Sequence, residues 1–322
     1  MRFVYVMDPM VGVLPDKDTT FAFQRAAQSR GHTALHTLPR DLFVKNGDAF
    51  ARVRPVTVSD NAPHYTLGDA YDVRLADVEA VLIRKDPPFD TEYLYATLVL
   101  ERARGRTVLM NDPRGLRDAN EKLYILHFSQ HTPRTIVTSD RPRIFAFVTE
   151  VGGQAVIKPL HGAGGAGVMI LANGDKNAPS IVDTLTDDGR RLVMVQEFLP
   201  RVSEGDKRIL LLEGAVLGAI NRVARADEFR SNIHVGGSVH PCDVSPEERA
   251  IIKDLAPRLK ADGLVFVGLD MIANRLTEVN VTSPTGIQEL SRHVRRDVSL
   301  DVIDWLERKA GELNPSLRSI RP

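Results

Sequence analysis

The chain has one cysteine, Cys242, so no internal disulfide can form. A single thiol suits a reducing compartment, and no partner pattern marks it as a nucleophile. No apolar run approaches the roughly 18 residues that a membrane-spanning helix needs. The opening MRFVYVMDPM is too short and too soon acidic for a signal peptide. Together these absences predict a soluble, cytoplasmic protein. Charge of one sign is not in excess: 42 Lys+Arg against 42 Asp+Glu gives a net charge of zero. That leaves no global case for nucleic acid or an acidic membrane surface as partner. There is no internal repeat, no low-complexity tract and no convincing Ser/His/Asp or Cys/His arrangement.

What is present is ordinary globular material. The 322 residues are 43% apolar and 26% charged, enough for two or three domains with cores of their own. Through the first third, strand and helix patterns alternate. Arg2–Met7 reads as a buried strand, Phe21–Arg30 as a helix closed by Gly31, and Val78–Ile83 as another strand. Asp90 can cap a helix over Thr91–Ala103, and Asn46-Gly47 between two strand-like runs is a hairpin signal. This pattern predicts an open, mainly parallel α/β domain over 1–120, with function at the strands' carboxyl ends. A Pro/Gly/Asn cluster near 111–120 marks the boundary. A helix from Glu121, short antiparallel-looking hairpins and two further helices make a smaller unit over 121–200. The unit over 201–322 opens with strands on either side of Glu213-Gly214. It continues with a capping box at Ser245-Pro246-Glu247-Glu248 and a helix to about Ala261 that Pro257 should kink.

Chemistry concentrates late in the chain, in LVFVGLDMIANRLTEVNVTSPTGIQEL. Asp270 sits near the end of an apolar run. Glu278 and Asn280 lie two residues apart on the next, so in a strand they face the same side. If the runs pair, Asp270 shares that side. Three oxygen donors without Cys or His suit Mg²⁺ and do not suit zinc. Mg²⁺ held by few carboxylates takes its other ligands from phosphate and water, which suggests nucleotide chemistry. Upstream, Gly162, Gly164 and Gly165 belong to a glycine-rich loop that can bring backbone N–H groups close to phosphate. It is neither a Walker loop nor a Rossmann fingerprint; a plain flexible hairpin is the alternative. Lys158 ends the strand before it and can set a point charge against phosphate. Lys122 can do the same, and for both a surface lysine is the plain reading. Gln196, Glu197, Phe198 and Leu199 end an apolar strand in the way adenine-binding hinges do. Arg208, Arg222, Arg225 and Arg230 form a basic set, and the polar stretch Ala224–Ser231 reads as a loop able to close over substrate. Ser283 can cap a helix with Pro284 at its first position, and such an N-terminus is an anion site.

Taken in order, these pieces resemble the ATP-grasp ligases, and within them the bacterial glutathione synthetases. The strings that carry the resemblance run from Val6-Met7-Asp8-Pro9 through RKDPPFD (84–90), LRDANEKL (116–123), GDKR (205–208) and FVGLD (266–270) to LTEVNVTSPT (276–285). The likeness spans nearly the whole chain. It implies an ATP-grasp fold preceded by the open α/β domain. It implies the joining of γ-glutamylcysteine and glycine into glutathione with release of ADP and phosphate, Mg²⁺ (or Mn²⁺) as metal, and a homotetramer. By the same resemblance Asp270, Glu278 and Asn280 hold the metal. Lys122, Lys158, the loop glycines, Gln196–Leu199 and Asp206 hold the nucleotide. Arg208, Arg222 and Arg230 serve catalysis, and Asp8, Arg84, Lys85, Asn232, Ser283, Pro284 and Thr285 contact substrate.

A carboxylate is a poor acyl donor, and phosphorylation makes it an acyl phosphate that an amine can attack. The protein's part is then positioning and charge neutralisation, not a nucleophile of its own. A closing loop would keep water from the acyl phosphate. Two departures stand out: His161 where the family has Asp, and VARADEF (223–229) where it often has a glycine-rich loop. Two rival readings are weighed: an ATP-grasp ligase for another amino acid or peptide, and a nucleotide-binding regulator without catalysis. Against the second, a dead homologue has no chemical reason to keep three metal ligands.

Overall fold

A computed structural model describes residues 1–162, 164–224 and 237–315. The apolar opening run forms β1 (Arg2–Met7), buried along almost its whole length because both of its faces are covered. Helix α1 (Thr19–Ser29) starts where the Asp18 carboxylate accepts the Phe21 N–H at 2.7 Å. Strands β2 (Thr33–Thr37), β3 (Leu42–Lys45), β4 (Asp48–Val58), β5 (Tyr65–Leu67), β6 (Tyr71–Arg74) and β7 (Ala80–Arg84) follow. Helix α2 (Thr91–Leu100) is capped by Asp90 as expected, and β8 (Val108–Met110) comes after it. In the sheet, β2, β1, β7 and β8 are parallel neighbours. Strand β4 adds antiparallel to β2 and carries β3, β5 and β6 with it. The parallel core is thus extended at one edge by hairpins. One of these turns at Asn46-Gly47, both with positive φ.

The stretch read as a boundary is tightly packed. Helix α3 (Pro113–Asp118) is capped by Asp112. A Cβ on Gly115 would lie 2.1 Å from the Asp262 carbonyl, so only glycine lets α3 approach so closely. Asn111, 3% exposed, uses its whole amide. Nδ2 donates to the Phe266 and Val281 carbonyls, and Oδ1 accepts from the Val265 and Phe266 N–H groups. Val279 N also donates to Glu121 O at 3.0 Å. The first sheet is therefore hydrogen-bonded directly to the strands that carry Asp270 and Glu278. From Glu121 onward the expected helix is a 3₁₀ segment, Leu123–His131, broken at Phe128 by a non-helical backbone.

The second sheet contains β9 (Thr135–Thr138), β10 (Gln154–Pro159), β11 (Met169–Ala172) and β12 (Val193–Glu197), all antiparallel, in the order β11-β10-β12-β9. Helices α4 (Arg141–Glu150) and α5 (Ala178–Thr186) cover it around Phe147, Ile157 and Val195. The third sheet contains β13 (Asp206–Leu212), β14 (Ala215–Val223), β15 (Ser238–Pro241), β16 (Phe266–Ile272) and β17 (Arg275–Asn280), ordered β15-β14-β13-β16-β17. Helix α6 (Pro246–Ala261) has the expected capping box at Ser245 and Glu248, and stays helical through Pro257. Helices α7 (Ile287–Val294) and α8 (Ser299–Leu313) close the described chain, with α8 packed on α1. Among the described residues no helix is long and apolar enough to cross a membrane.

Candidate active site

Register in the third sheet gathers the charged residues. Asp270 pairs with Glu278 across β16 and β17, and Gly268 pairs with Asn280. Paired residues share a face, as do residues two apart in one strand. Asp270, Glu278 and Asn280 therefore point to the same side. A bulge leaves Thr277 unpaired, and its hydroxyl donates to the Asp270 carbonyl at 3.0 Å. On the other side of β16, Arg208 of β13 pairs with Asp270, and Asp206 pairs with Arg222 of β14. One face thus shows Arg222, Asp206, Arg208, Asp270, Glu278 and Asn280. Gly268 makes room for it: a Cβ there would stand 2.9 Å from the Arg208 side chain lying across the strand.

Across from this face lies the second sheet, and a cavity of about 830 Å³ separates the two. Val156 pairs with Gln196, so Lys158 and Gln196 look the same way. The Lys158 ammonium donates to Gln196 Oε1 at 2.6 Å, and Gln196 Nε2 donates to Thr135 Oγ1 at 3.1 Å. Glu197, Phe198 and Leu199 continue along the cavity wall where β12 ends. Gly162, Gly164 and Gly165 line it too, each with positive φ. Lys122 reaches across: its ammonium is 3.0 Å from Glu278 and 3.1 Å from the Gly162 carbonyl.

Burial makes these charges interact strongly. Burial by itself would raise the Asp270 carboxyl, but Arg208 and Arg222 outweigh it and hold the group below the usual carboxylate range. Arg208 donates twice to Asp270, and Arg222 lies 3.0 Å from it. Asp206 goes the other way. Burial pushes its carboxyl up to about 7, and Arg222, 2.5 Å away, offsets this only in part. Burial would lower the Arg222 guanidinium, but Asp206 and Asp270 outweigh it and raise it. Lys158 is lowered by burial. The Cys242 thiol is pushed up to about 11 by burial, which makes it a poor nucleophile.

The third wall comes from the turn after β17. Ser283, Pro284 and Thr285 line the cavity. Ser283 does not cap α7, contrary to the expectation. That helix begins at Ile287 behind Gly286 (φ 116°), with no side-chain cap. The chain is held short of a helix because Arg84 takes the Pro284 carbonyl at 2.9 Å and Arg208 takes that of Thr285 at 3.3 Å. Arg84 is itself buried behind the wall, 5.5 Å from the Phe23 and Phe266 ring centres, with burial lowering its guanidinium. Asp8 and Lys85 pair with each other at 3.1 Å, and Asp8 also accepts the Asp86 N–H. It is Asp86 that lines the cavity, as Asp8 and Lys85 do not. Arg225, Arg230, Asn232 and most of the 223–229 loop lie outside the described residues.

Pattern reading missed Glu121, Asp18 and Glu289, all on the cavity wall. Glu121 Oε1 accepts from Val281 N, Thr282 N and Thr282 Oγ1 at 2.8–3.0 Å, fixing the chain just after β17. Its carboxyl is raised by burial and by Glu278. Only its place in the LRDANEKL string singled it out, because a lone acidic residue in a turn has no periodic signature.

A family model described as prokaryotic glutathione synthetase, N-terminal domain, matches residues 1–117, and one described as prokaryotic glutathione synthetase, ATP-grasp domain, matches residues 121–295. Glutathione synthetase of Synechocystis sp. is 44% identical over 320 residues, covering 96% of this chain and all of the relative. That of Salmonella typhimurium is 42% identical, covering 94% of this chain and 96% of the relative. Among solved structures, D-cycloserine synthetase DcsG superposes with a TM-score of 0.65 over 97% of this chain and all of its own, at 18% identity. The ATP-grasp ligase PsnB, complexed with a precursor peptide and AMPPNP, superposes at 0.61 and 16% identity. At those identities the likeness speaks for the ATP-grasp fold alone.

Proposed function

The chain belongs to the prokaryotic glutathione synthetase family, is an ATP-dependent ligase that makes glutathione from small-molecule substrates, and from this we propose how its own residues carry the reaction. One observation supports the reading above all: a single sheet face carries the acidic and basic groups, and two lysines and a glycine-rich loop stand opposite it.

ATP-grasp ligases use ATP with a divalent metal ion. Asp270, Glu278 and Asn280 would hold it. Hard oxygen donors on one face fit Mg²⁺, with Mn²⁺ an acceptable substitute. When bound there, the metal would supply positive charge against the phosphates of ATP. Lys122 and Lys158 neutralise more of it, and the backbone at Gly162, Gly164 and Gly165 cradles the phosphates. Gln196, Glu197, Phe198 and Leu199 take the adenine, and Asp206 completes the nucleotide site. Lys122 pairs with Glu278, and Arg208 and Arg222 pair with Asp270. Asp270 and Glu278 would give up these partners to hold the metal, and Lys122, Arg208 and Arg222 would then be free to neutralise phosphate.

Arg208 stabilises the phosphoryl group as it passes from ATP to the cysteinyl carboxylate of γ-glutamylcysteine, giving ADP and an acyl phosphate. Glycine's amine then attacks the acyl carbon. Phosphate departs with the former carboxylate oxygen, and the amine loses a proton. Arg222 would face the reacting group; Arg230 and Asn232, to which the resemblance gives the same role, lie outside the described residues. Ser283, Pro284 and Thr285 receive the substrate carboxylate, while Arg84 sets the place of that turn from behind. The Asp8–Lys85 pair shapes the segment around Asp86. The family likeness further implies a homotetramer working in the cytoplasm.

Oxygen tracing tests the step. With ¹⁸O in the cysteinyl carboxylate, released phosphate should carry one labelled oxygen per turnover, read by mass spectrometry. Unlabelled phosphate alongside glutathione formation would rule out the acyl phosphate.

A further inference from the structure

Three consecutive residues, Asn120, Glu121 and Lys122, reach different walls of the cavity. Glu121 ties their turn to the third sheet. Strand β17 ends the order of that sheet, so N–H groups along its outer edge have no further strand to meet. Glu121 meets them instead. Its backbone carbonyl accepts Val279 N, and its Oε1 accepts three donors from Val281 and Thr282.

From this anchored turn two donors reach over to the second sheet. Strand β10 ends at Pro159, and the chain then leaves the ladder on its way to the glycine-rich loop. Asn120 Nδ2 donates to the Leu160 carbonyl at 3.1 Å, and the Lys122 ammonium donates to that of Gly162 at 3.1 Å. Two donors two residues apart thus meet two carbonyls two residues apart. Among the described residues no other hydrogen bond reaches these carbonyls. The other end of the Asn120 amide is used as well. Its Oδ1 accepts Lys122 N and Leu123 N at 3.2 and 3.0 Å, a turn that leads into the 3₁₀ segment and sets where the Lys122 side chain departs.

The two tethers differ in what else is asked of them. On the reading of the reaction given above, Lys122 turns to phosphate, and an ammonium so engaged has fewer donors left for Gly162. Asn120 is neutral and does not line the cavity, so its bond to Leu160 makes no such exchange. We propose that Asn120 is a positioning residue for the nucleotide: through Leu160 it holds the stem of the glycine-rich loop against the turn that carries Lys122, so that loop backbone and lysine meet the phosphates as one unit. This rests on that placement of the phosphates.

Asn120→Asp keeps an acceptor for Lys122 N and Leu123 N but has no N–H for Leu160. Asn120→Ser does the same, more weakly and without adding charge, and stands in if the first variant does not fold. In either, affinity for AMPPNP with Mg²⁺, read by calorimetry, should fall about tenfold, and the KM for ATP should rise with it. Competitive inhibition by adenosine, which has no phosphate, should stay within about twofold of wild type, as should the KM for γ-glutamylcysteine. Wild-type AMPPNP affinity in these variants would leave Asn120 only its turn, and equal losses of AMPPNP and adenosine would mark general damage; either result overturns the proposal. Lys122→Met separates that failure from failure of the reading beneath it. It should weaken AMPPNP by more than about tenfold. Unchanged AMPPNP affinity in Lys122→Met would remove the phosphates from this wall, and the proposal with them.

Discussion

At the scale of single residues, the site is a set of buried charges that neutralise one another. Asp270 is buried between two guanidiniums, and Glu278 accepts Lys122. A buried pair is tolerated because each partner meets the other's need; deleting one leaves an uncompensated charge worth about 3–5 kcal/mol. Site mutations here need a stability control for that reason. Away from the site, Glu213 shows the same physics at the surface. Burial would raise its carboxyl, but donors on Lys309, Trp305 and Arg308 outweigh it and bring the group down to about 2. A carboxyl lowered by folding stabilises the native state fully above its ordinary value, and that gain is lost as pH falls towards the lowered one. The side chain is about one-third exposed, so solvent screening limits the gain to roughly 1 kcal/mol at neutral pH. Glu213→Gln should therefore unfold at lower urea than wild type at pH 7, and the two midpoints should converge as the pH drops below the ordinary glutamate range. A gap that stays constant with pH would assign the loss to packing.

At the scale of elements, register does the positioning. The β13–β16 and β16–β17 pairings put Arg208, Asp270 and Glu278 in one row. Asn111 then bolts that row's strands to the first sheet through four hydrogen bonds. Asn111→Ala leaves two carbonyls and two N–H groups buried without partners. It should cost about 3 kcal/mol or more in unfolding free energy and raise the KM for ATP. A loss under about 1 kcal/mol would show that the strands find other partners.

The sequence was most legible where local chemistry decides: the Asp90 and Ser245 caps, the Asn46-Gly47 turn, and the two-residue spacing of Glu278 and Asn280. It was least legible where a distant partner decides. Ser283-Pro284 carries the signature of a helix start, yet two arginines from elsewhere in the chain hold it as a turn. Arg84 sits behind the cavity and not in it because Phe23, Phe266 and Thr20 surround it, which no spacing near residue 84 announces. Asn111 lay in what looked like a linker.

At the scale of the whole molecule, three sheets meet around one cavity, and the chain's neutral overall charge hides a strongly charged interior face. The role proposed for this face is to drive phosphoryl transfer, with Asp270, Glu278 and Asn280 as metal ligands. Phosphate release from ATP, γ-glutamylcysteine and glycine with Mg²⁺, compared between wild type and Glu278→Ala, tests it most directly. The variant should keep its circular dichroism spectrum and lose at least about 100-fold in kcat/KM. A folded Glu278→Ala protein turning over within about tenfold of wild type would contradict the assignment of the site.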